Sequence, residues 1–363
     1  MNSVEQMFLT NRQYHIDCDT DFMDHAPTIA SLIQQHSGVY LPWEDEKALQ
    51  KLTENDLVAV RNASLKDQEL GVKLQEIFAP YVKPHLERMF GKHIQYSIRV
   101  SAQIKRTWTN EMLKEDNRDN HFYSDLAFPT RAHQDLDNNG FRSSHTTIFY
   151  FQMTPNVSHA SNLEIAPLKE KVGLLAFSPK LGYSNEITLG EQQKLNWFVP
   201  DLTPGNVYYM GPYLPHRSSR VSKFPRLALN VKIQPTNLVW LENIYGLGIK
   251  KMADSSSHEQ KLSYLVDLLK EASKVNNGAS YELGIAELLR NNWEGMKAAF
   301  AQLCLYDIGH DERSMKLFAA GGILRKNSRE ITEEDFMKLD DPMKNIVQHS
   351  CADAIIETLK LYS

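Results

Sequence analysis

Arg226-Leu227-Ala228-Leu229-Asn230-Val231-Lys232-Ile233 alternates without interruption. Successive side chains of an extended strand point to opposite faces. Arg226, Ala228, Asn230 and Lys232 therefore share one side, and Leu227, Leu229, Val231 and Ile233 the other. A strand with one face in a core and a polar face lining a cavity has this pattern. Upstream, Pro204-Gly205-Asn206 is a turn signal and Val207-Tyr208-Tyr209-Met210 reads as a short strand. Gly211-Pro212 ends it just before Leu214-Pro215-His216. The run Thr146 to Met153 is β-branched and aromatic, as strands are. Candidate strands are thus His93 to Thr107, Thr146 to Met153, Val172 to Phe177, Asn206 to Met210 and Arg226 to Ile233, punctuated by Pro, Gly and Asn.

His133-Gln134-Asp135 precedes these core strands. In an extended segment His133 and Asp135 present an imidazole and a carboxylate to the same side. Thirteen histidines make a chance H-x-D match easy, so the tripeptide alone says little. A second imidazole from another strand, His216, would complete two His and one carboxylate on one face of a metal. That facial triad suits non-haem Fe(II) oxygen chemistry. Arg226 then gains a meaning beyond that of a solvated strand arginine: guanidinium offers two parallel donors that match the far carboxylate of a dicarboxylate cosubstrate. Ser218, two residues beyond His216, adds a hydroxyl.

These residues resemble the Fe(II)- and 2-oxoglutarate-dependent dioxygenases, especially the phytanoyl-CoA dioxygenase-like branch with its ectoine-type hydroxylases. The matching pieces are His133-Gln134-Asp135, the segment Ser161 to Pro167, and His216-Arg217-Ser218 followed by Arg226, within roughly residues 95 to 235. The resemblance implies that His133, Asp135 and His216 hold Fe(II) and that Ser218 and Arg226 hold 2-oxoglutarate. It implies a double-stranded β-helix (jelly roll), and oxidation by O2 of an unactivated C–H bond with release of succinate and CO2. Hydroxylation is the default outcome. Halogenating relatives carry a small residue in place of the carboxylate, so Asp135 argues for hydroxylation, desaturation or cyclisation. Gln103, Lys105 and Trp108, near the strand that precedes the motif in the family, are implied pocket residues. Relatives often continue from the Ser161 to Pro167 region into a Gly-Ser-His turn, whereas this chain runs into Leu168-Lys169-Glu170-Lys171. That loop shapes the substrate pocket, so the departure bears on substrate and not on iron. A small polar metabolite, an amino acid or natural-product intermediate, is the substrate class by analogy alone.

The expected architecture is a mainly β core with helices (α+β), divided into an N-terminal helical segment (1–90), a catalytic core (91–237) and a C-terminal helical region (238–363). The length of 363 residues exceeds a typical single domain. In the N-terminal segment Trp43 to Asp56 and Leu65 to Phe90 read as helices, the second interrupted by Pro80 and Pro84. Beyond Trp240 the expected helices are Leu262 to Val275, Tyr281 to Leu289 and Trp293 to Leu305, with Ser257 or a neighbour as a cap. One imperfect helix-turn-helix unit falls short of the three or so repeats that tetratricopeptide stacks need. A cap over the barrel, or a homodimer contact through these helices, is the plainer role.

Composition excludes several classes. A net charge of −5 with no basic stripe gives no reason to expect nucleic acid. No apolar run approaches the roughly 18 residues of a membrane span, and the N-terminus lacks a secretory pattern. The three cysteines, Cys18, Cys304 and Cys351, are scattered. A reducing cytoplasm is the expectation. No G-x-G-x-x-G or P-loop sequence supports nucleotide binding. His145 and His159 lie near core strands without a carboxylate two residues away, and His121 with Asp125 falls in a polar loop. Two alternatives stay open: a non-oxidative, metal-dependent cupin-type enzyme, which has no need of Arg226, and a jelly-roll binding or scaffold protein without catalysis.

Overall fold

The computed structural model describes residues 13–105, 132–135, 147–154, 163–302 and 355–361, apart from short internal stretches such as 170–172, 219–224, 242–247 and 250–256. Trp108, His121, Asp125, His145, His159 and the three cysteines lie outside the described residues.

The chain begins with β1 (Tyr14–Asp17), a 3-10 turn (Asp21–His25) and four helices: α1 (Ala26–Ser37), α2 (Glu46–Gln50), α3 (Glu54–Lys66) and α4 (Gln68–Phe90). Each of α2, α3 and α4 starts at a side chain that caps its free amides, Asp45, Thr53 and Asp67 respectively. Thr53 and Asp56 form a reciprocal capping box that divides the expected Trp43 to Asp56 helix in two. The expected break at Pro80 and Pro84 does not occur, and α4 runs unbroken. Both prolines are exposed, so the carbonyls that lose an intrahelical partner can turn to water, while Leu70, Leu74, Phe78, Val82, Leu86 and Phe90 bury the opposite stripe. Helix α1, which is not among the helices expected from the sequence, buries Ala26, Ile29, Ala30 and Ile33.

The strands that follow are β2 (Tyr96–Lys105), β3 (Thr147–Gln152), β4 (Leu163–Ile165), β5 (Phe177–Lys180), β6 (Tyr183–Ile187), β7 (Val207–Met210), β8 (His216–Ser218) and β9 (Arg226–Pro235), with a short α5 (Leu189–Gln192) after β6. The expected strand from Val172 to Phe177 is displaced: Gly173 lies in a bend, Leu175 is irregular, and the strand begins only at Phe177. Five strands form one antiparallel sheet in the order β1-β7-β3-β9-β2. Two smaller antiparallel pairs, β4-β8 and β5-β6, stand apart from it. The turn before β7 needs Gly205 at φ +89°, a backbone that side chains rarely tolerate, and its carbonyl accepts from the Thr20 amide at 3.1 Å.

The two faces of the large sheet bury different things. Phe149, Phe151, Val207, Tyr209, Leu227, Leu229, Val231 and Ile233 face the N-terminal helices, where Phe151 lies 4.6 Å from Phe78 and 4.7 Å from Phe22 between ring centroids. The same apolar cluster takes in the buried side chains of α6 (His258–Val275), α7 (Ser280–Leu289) and α8 (Trp293–Ala301), together with Ile355 and Leu359. Ser257 and Gln260 cap α6 reciprocally. On the other face Tyr150, Tyr208, Met210 and Ala228 pack with Leu163, Ile165 and Leu214 in a separate, smaller cluster. The site lies on that side. Among the described residues no helix is long and apolar enough to cross a membrane.

Candidate metal centre

His216 opens β8, where it pairs with Ile165 of β4 on one side and forms an isolated antiparallel bridge with His133 on the other. The bridge is reciprocal: each histidine amide donates to the other's carbonyl at 3.0 Å. Two residues 83 positions apart in the chain are thereby fixed face to face, with their rings 4.2 Å apart between centroids. Asp135, next but one to His133, returns to the same place. Its Oδ2 lies 3.2 Å from His216 Nε2 and its Oδ1 3.9 Å from His133 Nε2. One ligand atom from each of the three residues lies within 4.8 Å of the others. The sequence-derived set is thus brought together.

The donors are oriented for a metal. His216 Nδ1 is 3.0 Å from the Leu214 carbonyl, an acceptor only, so Nδ1 donates to it and the ring is held with Nε2 facing Asp135. Gln134, between the two motif residues, is buried and held at both ends of its amide. Nε2 donates to the carbonyls of Tyr213 at 2.7 Å and Gly173 at 2.9 Å, and Oε1 accepts from the Leu175 amide at 2.9 Å. With the middle residue pinned inward, His133 and Asp135 are both turned the other way. Tyr213 is held in turn by the 3-10 turn Asn277–Ala279 between α6 and α7: a Cβ on Gly278 would fall 2.0 Å from the Tyr213 hydroxyl. The turn between these two C-terminal helices therefore lies close against Tyr213, whose carbonyl supports Gln134.

Asp135 is buried, which opposes its ionisation. The Lys232 ammonium, 3.3 Å from Oδ1, and the two imidazoles more than offset this and hold the carboxyl well below the usual carboxylate range. A charged, buried carboxylate beside two imidazole nitrogens is a donor set that fits a divalent transition metal.

Arg226 begins β9 and is 2 % exposed, yet its Nε and Nη1 have no hydrogen-bond partner. Its guanidinium carbon lies 5.5 Å from the centre of the Tyr150 ring. A buried cation with unmet donors is costly unless something absent here meets them. Ser218 is buried on the same side of β8 as His216. Between them Arg217 points away, ion-paired to Glu164 at 2.5 Å and lying over Trp197, which anchors the strand from outside.

Gln103 of β2 stands opposite Ala228, on the Arg226 face, and is half-buried. Lys105 is paired in register with Arg226, but its side chain is not among those described, nor is any part of Trp108. The sequence did not single out Lys232, Asn230 or Gln134 as part of a site. The first two stand on the polar face of β9, and that alternation was their only signal. Gln134 had none.

No protein-family model matches the chain, and no curated protein does. Among solved structures, similarity extends to the non-heme alpha-ketoglutarate-dependent carbocyclase SnoK of nogalamycin biosynthesis (TM-score 0.37, 11% identity, 65% of this chain and 85% of that one). It extends also to a Pseudomonas putida prolyl-4-hydroxylase (TM-score 0.34, 8% identity, 64% and 95%) and to the non-heme monooxygenase ThoJ (TM-score 0.40, 11% identity, 64% and 78%). Likenesses this distant carry nothing about individual residues.

Proposed function

We propose that the protein is an Fe(II)- and 2-oxoglutarate-dependent oxygenase that oxidises an unactivated C–H bond of a small polar metabolite, with hydroxylation as the outcome. The observation that carries this reading is the convergence of His133, Asp135 and His216 on one face, with Arg226, whose buried Nε and Nη1 have no partner, on the same side of the sheet. His133, Asp135 and His216 would hold the iron, and Arg226 with Ser218 the far carboxylate of 2-oxoglutarate. When bound, that pair of cofactors supplies oxidation by O2 with loss of CO2 and formation of succinate.

The chain's own residues do the rest. The His133–His216 bridge sets the spacing of two donors, and Gln134 and the Leu214 carbonyl fix their orientation. Arg226 offers paired donors in a dry setting, where they discriminate strongly for a carboxylate. The aromatic and aliphatic cluster of Tyr150, Tyr208, Met210, Leu163 and Ile165 keeps water from that end. The large sheet and the smaller pairs joined through residues 132–133 are read as the two layers of a jelly roll. Residues 91–237 are its catalytic core, flanked by segments 1–90 and 238–363.

The test is anaerobic addition of Fe(II) and then 2-oxoglutarate, watching for the weak visible charge-transfer band of the chelate. Wild type is expected to give the band, His133→Ala to lose metal and band together, and Arg226→Ala to lose the band while retaining metal. Metal binding without a band in wild type would leave the non-oxidative metalloenzyme. No metal binding at all would leave the scaffold.

A further inference from the structure

We propose that the substrate of this site is a free amino acid, held by its carboxylate at Arg99 and Lys232 and by its amine at Asn230. The inference rests on the oxygenase reading above and concerns what else the polar face of the large sheet must bind.

Strands β2 and β9 pair in register, so Arg99 lies directly opposite Lys232, Ser101 opposite Asn230 and Gln103 opposite Ala228. The alternate residues Val100, Ala102 and Ile104 are buried against the helices, which turns Arg99, Ser101 and Gln103 to the side of the triad. Along this face the described side chains include cations and neutral polar groups but no carboxylate, in a chain whose net charge is −5. Like charges directly opposite on neighbouring strands destabilise a sheet. Arg99 and Lys232 are such a pair. Among the described residues the exposed Arg99 has no partner, and Lys232 is neutralised only by Asp135. A carboxylate that also ligates a dication has less charge to give Lys232, so a loaded centre leaves two neighbouring cations in want of an anion. Guanidinium and ammonium side by side suit a carboxylate.

Asn230 supplies the second half of the argument. It is 6 % exposed, stands between Lys232 and Arg226 on the same face, and its Oδ1 is buried without a partner. An amide oxygen needs a donor. Carboxylate and keto groups of 2-oxoglutarate are all acceptors, so the cosubstrate cannot satisfy it. The missing donor belongs to the substrate, next to a carboxylate bound one alternate position along the strand. An amino acid carries those two groups in that order. The partly exposed Arg99–Gln103 edge is where it would enter, with its side chain directed to the triad.

The experiment is equilibrium dialysis of the protein loaded with Mn(II) and 2-oxoglutarate, against the proteinogenic L-amino acids and, in parallel, their carboxamides. Retained ligand and retained 2-oxoglutarate are quantified in the same cell. At least one amino acid is expected to be retained by wild type at least about tenfold more than its carboxamide, with Arg99→Gln lowering that retention at least about tenfold and Arg99→Lys recovering part of it. Arg99 is exposed, so these variants are expected to fold, and a thermal midpoint on each sample checks this. Retention of 2-oxoglutarate with no amino acid retained, equal retention of acids and carboxamides, or an Arg99→Gln variant that binds like wild type would each overturn the inference and leave the oxygenase reading standing. If 2-oxoglutarate itself is not retained, both fall.

Discussion

The two faces of one five-stranded sheet follow opposite rules. Toward the helices lies a packed layer of apolar and aromatic side chains, among them Phe149, Phe151, Leu227, Leu229 and Val231. On the other side, from the same strands and often from adjacent residues, come Tyr150, Tyr208, Arg226 and Asn230, and the last three carry buried polar atoms with no partner. Folding alone would not select that second face, since each unmet group has a desolvation cost. The first face supplies the stability that lets the second carry these unmet groups. Substitutions on the two faces should therefore fail in different ways.

The largest effect is expected at Phe151. It is fully buried between Phe22 and Phe78, and Phe151→Ala removes a ring that joins the sheet to the 3-10 turn and α4. The expected loss is about 3–5 kcal/mol in denaturant unfolding. In the fraction that remains folded at low temperature, metal affinity should be near that of wild type, because no triad residue touches this layer. A large drop in affinity without a drop in stability would break the comparison.

Arg226→Met tests the other face, and the expected sign is reversed. Methionine keeps much of the volume and the stacking against Tyr150, while the buried, unpartnered Nε and Nη1 disappear. Ligand-free protein should gain about 1–3 kcal/mol of stability, the scale of an unsatisfied buried donor, and should no longer bind 2-oxoglutarate. A destabilised Met variant would mean that the guanidinium is structurally satisfied and that the contrast between the faces is false.

This division also decides what could be read from the sequence. The alternation from Arg226 to Ile233 gave strand, faces and cation at once, because period two is a local property. His133, Asp135 and His216 were legible through their spacing and chemistry, although their actual meeting depends on the 133–216 bridge, a contact that no local pattern specifies. Strands β4 and β8 are three residues long, too short for periodicity, and are held by pairing alone. Pro80 and Pro84 misled because local backbone preference gave way to the buried stripe from Leu70 to Phe90. Gln134 and Gly278 were silent for a related reason: each matters through what it touches across the fold, Gly173 and Tyr213 for the one, Tyr213 for the other.

Tyr150 gives the finest test, since it sits between Phe149 and Phe151 in the chain and faces the other way. Burial pushes its phenol up to about 12, with nearby Arg226 pulling in the opposite direction, and burial pushes Tyr208, opposite it in register, further still. In the unfolded chain both ionise near about pH 10. Between there and about pH 12 the unfolded chain has released protons that the folded chain keeps, so stability falls as pH rises, by up to about 1.4 kcal/mol for each pKa unit of difference. Tyrosinate absorbance followed beside circular dichroism should show a late fraction that appears only as the fold is lost. In Tyr150→Phe that fraction should shrink and the alkaline midpoint should rise. Were Tyr150 to titrate with the exposed tyrosines while the protein stays folded, its side of the sheet would be wet, and Arg226 would owe its unpaired nitrogens to solvent and not to a missing carboxylate.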